Sequence, residues 1–160
     1  MPGIAVIIPA QNEALSIAKV VGDIPKDLVQ EVVVVNNNST DDTAAVAKAA
    51  GGTVLDEPRP GYGFACLKGI AYLQQQEQPP EIVVFMDGDY ADDARDMEAL
   101  INPLHNGSDM VIGSRATGER ESGSLTIPQR FGNWLATTLI RLLYKVPFTD
   151  LGPFRAIKFD

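Results

Sequence analysis

The stretch IVVFMDGD, residues 82–89, sets an unbroken apolar run before two aspartates separated by one glycine. A run apolar at every position suits a strand covered on both faces, as parallel sheets require. Comparable runs recur at IAVIIP from Ile4, VVVV from Val32, TVLD from Thr53 and MVIGSR from Met110, with helical spacing between them. That alternation predicts an α/β fold with a mostly parallel sheet flanked by helices. In such sheets ligands bind beyond the carboxyl ends of the strands, so QNE, NNNSTDD, DGD and GSR are the places to look for chemistry.

Composition narrows the choice of function. With 160 residues, 45% hydrophobic and 21% charged, the chain fits one globular domain, expected to span 1–160. Thirteen Lys and Arg against 21 Asp and Glu leave a net charge of -8, which disfavours nucleic acid as a partner because phosphate neutralisation needs clustered cations. The single Cys66 excludes an internal disulfide framework and a cysteine-based zinc site. MPGIAVIIPA lacks the basic start of a signal peptide, and no window reaches the roughly 18 apolar residues of a membrane span. A cytoplasmic protein is expected, free or peripheral at the inner face of the membrane.

Local signals mark the helices. Ser39 and Thr40 read as the N-cap of the helix over AAVAKAA, with Asp41 and Asp42 in its first turn and Gly51-Gly52 as its stop. Residues 118–129, GERESGSLTIPQ, read as a polar loop long enough to be mobile or functional. RFGNWLATTLIRLLY then places Phe131, Trp134, Leu135, Thr138 and Leu142 at helical intervals. LGPFRAIKFD shows no evident final packing element, so C-terminal elements are expected to be missing.

Asp87 and Asp89 can converge on one hard cation, Mg²⁺ or Mn²⁺, bridged to a diphosphate. A solvated turn also accounts for DGD taken alone, and Asp92, Asp93 and Asp96 fit negative charge at a helix N-terminus. The carboxamides of Asn36-Asn37-Asn38 could read a nucleobase edge or simply form a turn. Pro9-Ala10-Gln11-Asn12-Glu13 could be no more than a helix start.

Taken together, IPAQNE, VVVVNNNSTDDT, RPGYGFACLKGI, FMDGDYADD, VIGSR and TDLGPFRAI, in that order, resemble the family 2 glycosyltransferases, and within them the polyprenyl-phosphate (dolichyl-phosphate) mannosyl- and glucosyltransferase-like branch. The resemblance implies a GT-A fold, Rossmann-like around its nucleotide, with a nucleotide diphosphate sugar as donor and a divalent metal at the DxD motif. Pro9, Ala10 and Glu13 match the nucleoside-binding segment, Asn37 the base-contacting position, and Asp87, Gly88 and Asp89 the DxD. Gly113, Ser114, Arg115 and Arg130 match acceptor-phosphate positions, where an arginine fork suits a phosphate. Two departures bear on the donor. Asn37 stands where the family commonly has Asp, and Ala91 where the mannosyl branch has a metal-holding Gln, so UDP-glucose is favoured over GDP-mannose.

A lipid phosphate acceptor is already ionised and needs no general base, whereas a saccharide hydroxyl would need one. The apolar helix after Arg130 could then meet lipid or pack in the core. Gly61 and Gly63 suit a phosphate loop or a turn before a helix; Cys66 reads as a packed small residue and His105 as a helix end. A sugar nucleotidyltransferase would carry a Gly-rich loop where PAQNE stands. A nucleotide-sugar-binding module without transfer activity stays open beside the enzyme.

Overall fold

The computed structural model describes residues 3–113 and 152–159. Ser114, Arg115, Arg130, the 118–129 loop and the apolar helix expected after it lie outside the described residues. Six strands form one sheet: β1 (Ile4–Ala10), β2 (Glu31–Asn36), β3 (Thr53–Asp56), β4 (Ile82–Phe85), β5 (Met110–Ile112) and β6 (Arg155–Lys158), in the order β3-β2-β1-β4-β6-β5. Helices α1 (Ile17–Asp23), α2 (Thr43–Ala49), α3 (Tyr62–Gln74) and α4 (Met97–His105) lie between the strands. The chain divides into two units, Met1–Val111 with Phe154–Asp160, and Ile112–Pro153; the loops after β1, β2 and β4 belong to the first.

Every apolar run named from the sequence is a strand; burial on both faces accounts for β1, β2 and β4, whereas β3 and β5, at the two ends of the sheet, hold no buried residue. Val6, Ile8 and Ala10 of β1 join a core with Ile17 and Val20 of α1, Ala47 of α2 and Met97, Leu100 and Leu104 of α4. Ala5 and Ile7 join the opposite core, with Ala65, Cys66 and Leu73 of α3. Ile7 and Ile8 are wholly buried, and each such side chain contributes about 1.5–3 kcal/mol. Helix α3 crosses β1 so closely at Gly69 that a Cβ there would lie 2.8 Å from Ile7 Cγ2.

Two expectations are corrected. The last residues do form a packing element: β6 runs antiparallel to β4, pairing Phe85 with Arg155 and Ile82 with Lys158, which makes the sheet mixed. RAIK is too short to show a period, and Ala156 is its one fully buried residue. Helix α2 starts at Thr43 with Asp42 at its cap, because Ser39 and Thr40 are bonded to Asn12 instead. Gly51, at φ +100°, does follow its end as the sequence indicates.

The strand order reverses on either side of β1. The chain builds outward through β2 and β3, then returns to place β4 on the other side of β1. The crevice at such a reversal is the usual ligand position of an open α/β sheet. The parallel pairings put the ends of β1, β2 and β4 on one edge, and antiparallel β6 begins on that edge too.

Candidate functional site

The loops after β1 and β2 are laced together. The Asn37 N–H donates to Ala10 O at 2.9 Å, extending the ladder one step past the strands. The Asn12 N–H donates to Ser39 Oγ (3.1 Å), and Thr40 N–H to Asn12 Oδ1 (2.8 Å). The Glu13 N–H donates to Thr43 Oγ1 (2.8 Å), and Ala14 N–H to Asp41 Oδ2 (3.1 Å). Asp41 also accepts the Thr43 hydroxyl and N–H, and these bonds hold its carboxyl below the usual range. Asn12 turns at φ +59°, a left-handed conformation that asparagine tolerates.

The DGD turn closes against that lacing. Gly88 is buried, and a Cβ on it would come within 3.3 Å of Glu13 Cγ and 3.6 Å of Ala10 Cβ. The first and third motifs therefore touch through a residue with no side chain. Pro9 and Glu13 are half-buried, and Glu13 Oε2 accepts the Ser16 hydroxyl at 2.9 Å. Asp87 is half-buried at the turn's start, while Asp89 is exposed at its end and accepts the Ala91 N–H through Oδ1 (3.0 Å).

Tyr90 follows at φ +67°, a strained conformation for a bulky residue. Its hydroxyl donates to Asp23 Oδ2 at 2.5 Å, and Lys19 Nζ lies 5.9 Å from its ring centroid, so α1 clasps it from two sides. A cleft of about 500 Å³ opens there, between Val20 and Asp23 of α1 and the residues from Tyr90 to Arg95. Asp93 accepts the Arg95 N–H and pairs with its guanidinium at 2.6 Å, consistent with an acidic residue starting a helical turn.

Asn37, expected to offer its carboxamide to a base, faces inward at 4% exposure. Both its N–H groups are given to backbone carbonyls, Glu57 O at 2.9 Å and Arg59 O at 2.7 Å, and Oδ1 accepts the Gly61 N–H at 2.8 Å. Two further residues reach this edge without having been singled out. Tyr62 is exposed at the start of α3, and its phenol is nonetheless pushed up by partial desolvation, with Cys66 and Asp87 adding to the rise. The Arg155 guanidinium sits 5.4 Å over the Phe85 ring and bears on Tyr62 as well. Tyr62 was hidden inside RPGYG, where the glycines drew attention, and Arg155 inside a strand too short to notice. Cys66 is buried in α3, its thiol raised by burial, and His105 ends α4.

Two carboxylates flanking a buried glycine are a hard-oxygen donor set suited to Mg²⁺ or Mn²⁺. Among the described residues no group of three or more His, Cys, Asp or Glu gathers round one point, so a ligand's own oxygens would supply much of the coordination.

A family model described as glycosyl transferase family 2 matches residues 5–160. An uncharacterized glycosyltransferase of Mycobacterium tuberculosis is 35% identical over 157 residues, covering 97% of this chain and 67% of its own. Glycosyltransferase AglJ of Haloferax volcanii is 30% identical over 96% of this chain and 49% of its own. Glucosyl-3-phosphoglycerate synthase of M. tuberculosis, solved with Mn²⁺, UDP-glucose and phosphoglyceric acid, superposes with a TM-score of 0.75 at 26% identity, covering 98% of this chain and 56% of that one. The same enzyme with UDP gives a TM-score of 0.73 at 26% identity. The chain thus spans little more than half of the solved enzyme.

Proposed function

The chain belongs to glycosyl transferase family 2, and from that premise we propose that it transfers glucose from UDP-glucose to a polyprenyl phosphate at a membrane surface. The observation that carries the donor half is the closure of the β1, β2 and β4 loops on one another, with Gly88 buried against Glu13 and Ala10 and Asp89 exposed above them. Pro9, Ala10 and Glu13 would form the nucleoside wall, and the Asp87-Gly88 backbone the floor under the ribose. The solved relative holds UDP-glucose, which favours uridine.

Asp87 and Asp89 would hold Mg²⁺ or Mn²⁺, and an ion bound there would supply positive charge against the negative charge developing on the diphosphate leaving group. Gly88 would let backbone and ligand approach closely, and the Asp89–Ala91 bond holds one carboxylate oxygen of an otherwise exposed side chain. Attack at the anomeric carbon from the face opposite the diphosphate inverts its configuration. A phosphate nucleophile supplies its own charge, so no residue of this chain need remove a proton. Ser114, Arg115 and Arg130, by their match to acceptor-phosphate positions, would grip that phosphate.

A second reading has a specific observation behind it: the solved relative also holds phosphoglyceric acid, a soluble phosphorylated acceptor. No helix among the described residues is long and apolar enough to cross a membrane, and this fits either acceptor. Incubating the protein with labelled UDP-glucose and Mn²⁺, and offering detergent-dispersed polyprenyl phosphate or phosphoglyceric acid, separates them. Label in the organic phase supports the lipid acceptor; label only on phosphoglyceric acid replaces it; UDP-glucose binding without transfer to either marks a binding module.

A further inference from the structure

We propose that Asn36, Asn37 and Asn38 act as one comb that shapes the β3–α3 loop, and that Asn37 is a positioning residue for the nucleotide site rather than a contact to the base. Each asparagine reaches a different part of the same short stretch. Asn36 Nδ2 donates to Asp56 Oδ1 (2.8 Å), and its carbonyl accepts the Glu57 N–H (3.0 Å). Asn37 takes Glu57 O, Arg59 O and the Gly61 N–H, while Asn38 Nδ2 donates to Pro58 O (2.9 Å).

The stretch has little else to hold it. Pro58, Arg59, Pro60 and Gly61 are all exposed, and Glu57 alone is buried. No apolar side chain anchors it, and the prolines lack the N–H that a ladder would use. Its shape therefore rests on polar contacts. Glu57 accepts the Arg59 N–H (2.9 Å), Nε (2.8 Å) and a terminal nitrogen (2.8 Å), and the guanidinium lies 4.6 Å over the Phe64 ring. The loop ends at Gly61, at φ +128°, the N-cap of α3, and the Asn37 that holds it is itself tied by its backbone N–H to Ala10, a residue Gly88 packs against. What the comb fixes is the place where α3 enters the crevice.

The carboxamide of Asn37 has no N–H left for a base. An aspartate in its place would keep the bond from Gly61 and turn a charge toward two carbonyl oxygens. A base-reading residue and a loop-holding one thus respond differently to substitution. The affinity part of the test rests on the donor-site reading above, and the exchange part does not. In Asn37→Ala the Gly61 amide should exchange at least about tenfold faster, with Val33–Val35 amides unchanged, and UDP and GDP should both weaken by one common factor. Asn37→Asp should keep Gly61 protected yet weaken both nucleotides in the same way.

An unchanged Gly61 exchange rate in Asn37→Ala, or a tenfold change in the UDP to GDP ratio with Gly61 still protected, would overturn the proposal. If Asn37→Ala does not fold, the exposed Asn38→Ala removes one tooth: faster exchange at Arg59 supports the comb, and no change counts against it. If neither nucleotide binds the unaltered protein, the donor-site reading falls, and Gly61 exchange alone decides the comb.

Discussion

The ends of β2 and β4 lie on the same edge of one sheet, yet they use their polar residues in opposite ways. After β2, Asn36 and Asn38 each donate one side-chain hydrogen bond to the protein and Asn37 donates two, and Asn37 is buried under the loop it holds. After β4, Asp89 is exposed, ties one oxygen to Ala91, and follows a glycine that is the buried part of the turn. Carboxamides with matched donors and acceptors can be satisfied internally, whereas a carboxylate only accepts and keeps a net charge. The β2 end is therefore satisfied largely within the protein, while the β4 end keeps an exposed carboxylate, the one that on the proposed function would meet a metal ion.

The largest expected effect breaks this contrast at the open end. Asp89→Asn keeps the oxygen that accepts from Ala91 and removes the charge; transfer should fall at least about 10²-fold, as when charge stabilisation at a leaving group is lost. The melting temperature should barely move. A melting temperature lowered in proportion to the lost activity would make Asp89 scaffold too.

Acid sharpens the contrast at the closed end. Hydrogen bonds from Arg59 hold the Glu57 carboxyl at about 2, below its ordinary 4.5. A depressed carboxylate contributes stability that is complete above the ordinary value and is lost as the pH falls through the depressed one. The Arg59 Nε–H should give a protected NMR signal at pH 5 that disappears as the pH approaches 2. The Arg95–Asp93 pair beyond β4 is exposed on both sides, and exposed pairs contribute little. Its Nε–H should exchange like that of a free arginine throughout; equal protection of the two would erase the distinction.

The smallest effect concerns Tyr90. A left-handed residue costs roughly 1–2 kcal/mol unless it is glycine or an asparagine of the kind found at Asn12 and Asn38. Tyr90→Asn should relieve that cost while losing the exposed contacts to Asp23 and Lys19, for a net rise in melting temperature of about 2–4 °C. A fall would mean that the clasp from α1 outweighs the strain.

Much of this was legible beforehand, for physical reasons that also mark where legibility stopped. A strand buried on both faces needs an apolar residue at every position, so IVVF and VVVV announce themselves, and their order along the chain carried the family. RAIK does not, because β6 borrows its place from β4 and β5 rather than from its own composition. The role of Asn37 was hidden by distance: its partners lie 20, 22 and 24 residues further on, and a carboxamide offers the same groups to a base or to a loop. Tyr90 was hidden likewise, its hydroxyl meeting Asp23 from 67 residues away. Residue type at a strand end signals that chemistry is possible there; only the partners decide which polar groups remain for a ligand.

The pairing of β4 with β6 also has a consequence for how the molecule comes into being. On the ribosome, β1 to β4 are all synthesised before any residue of β6, and at about 5–20 residues per second the wait from Phe85 to Arg155 lasts several seconds. During that interval the outer edge of β4, apolar along its whole length, has no permanent neighbour, and such an edge is a template for pairing with another chain. Contacts this distant in sequence also form late in refolding, because the loop between them must close first. The strand that leads into Asp87 is thus completed only when β6 arrives.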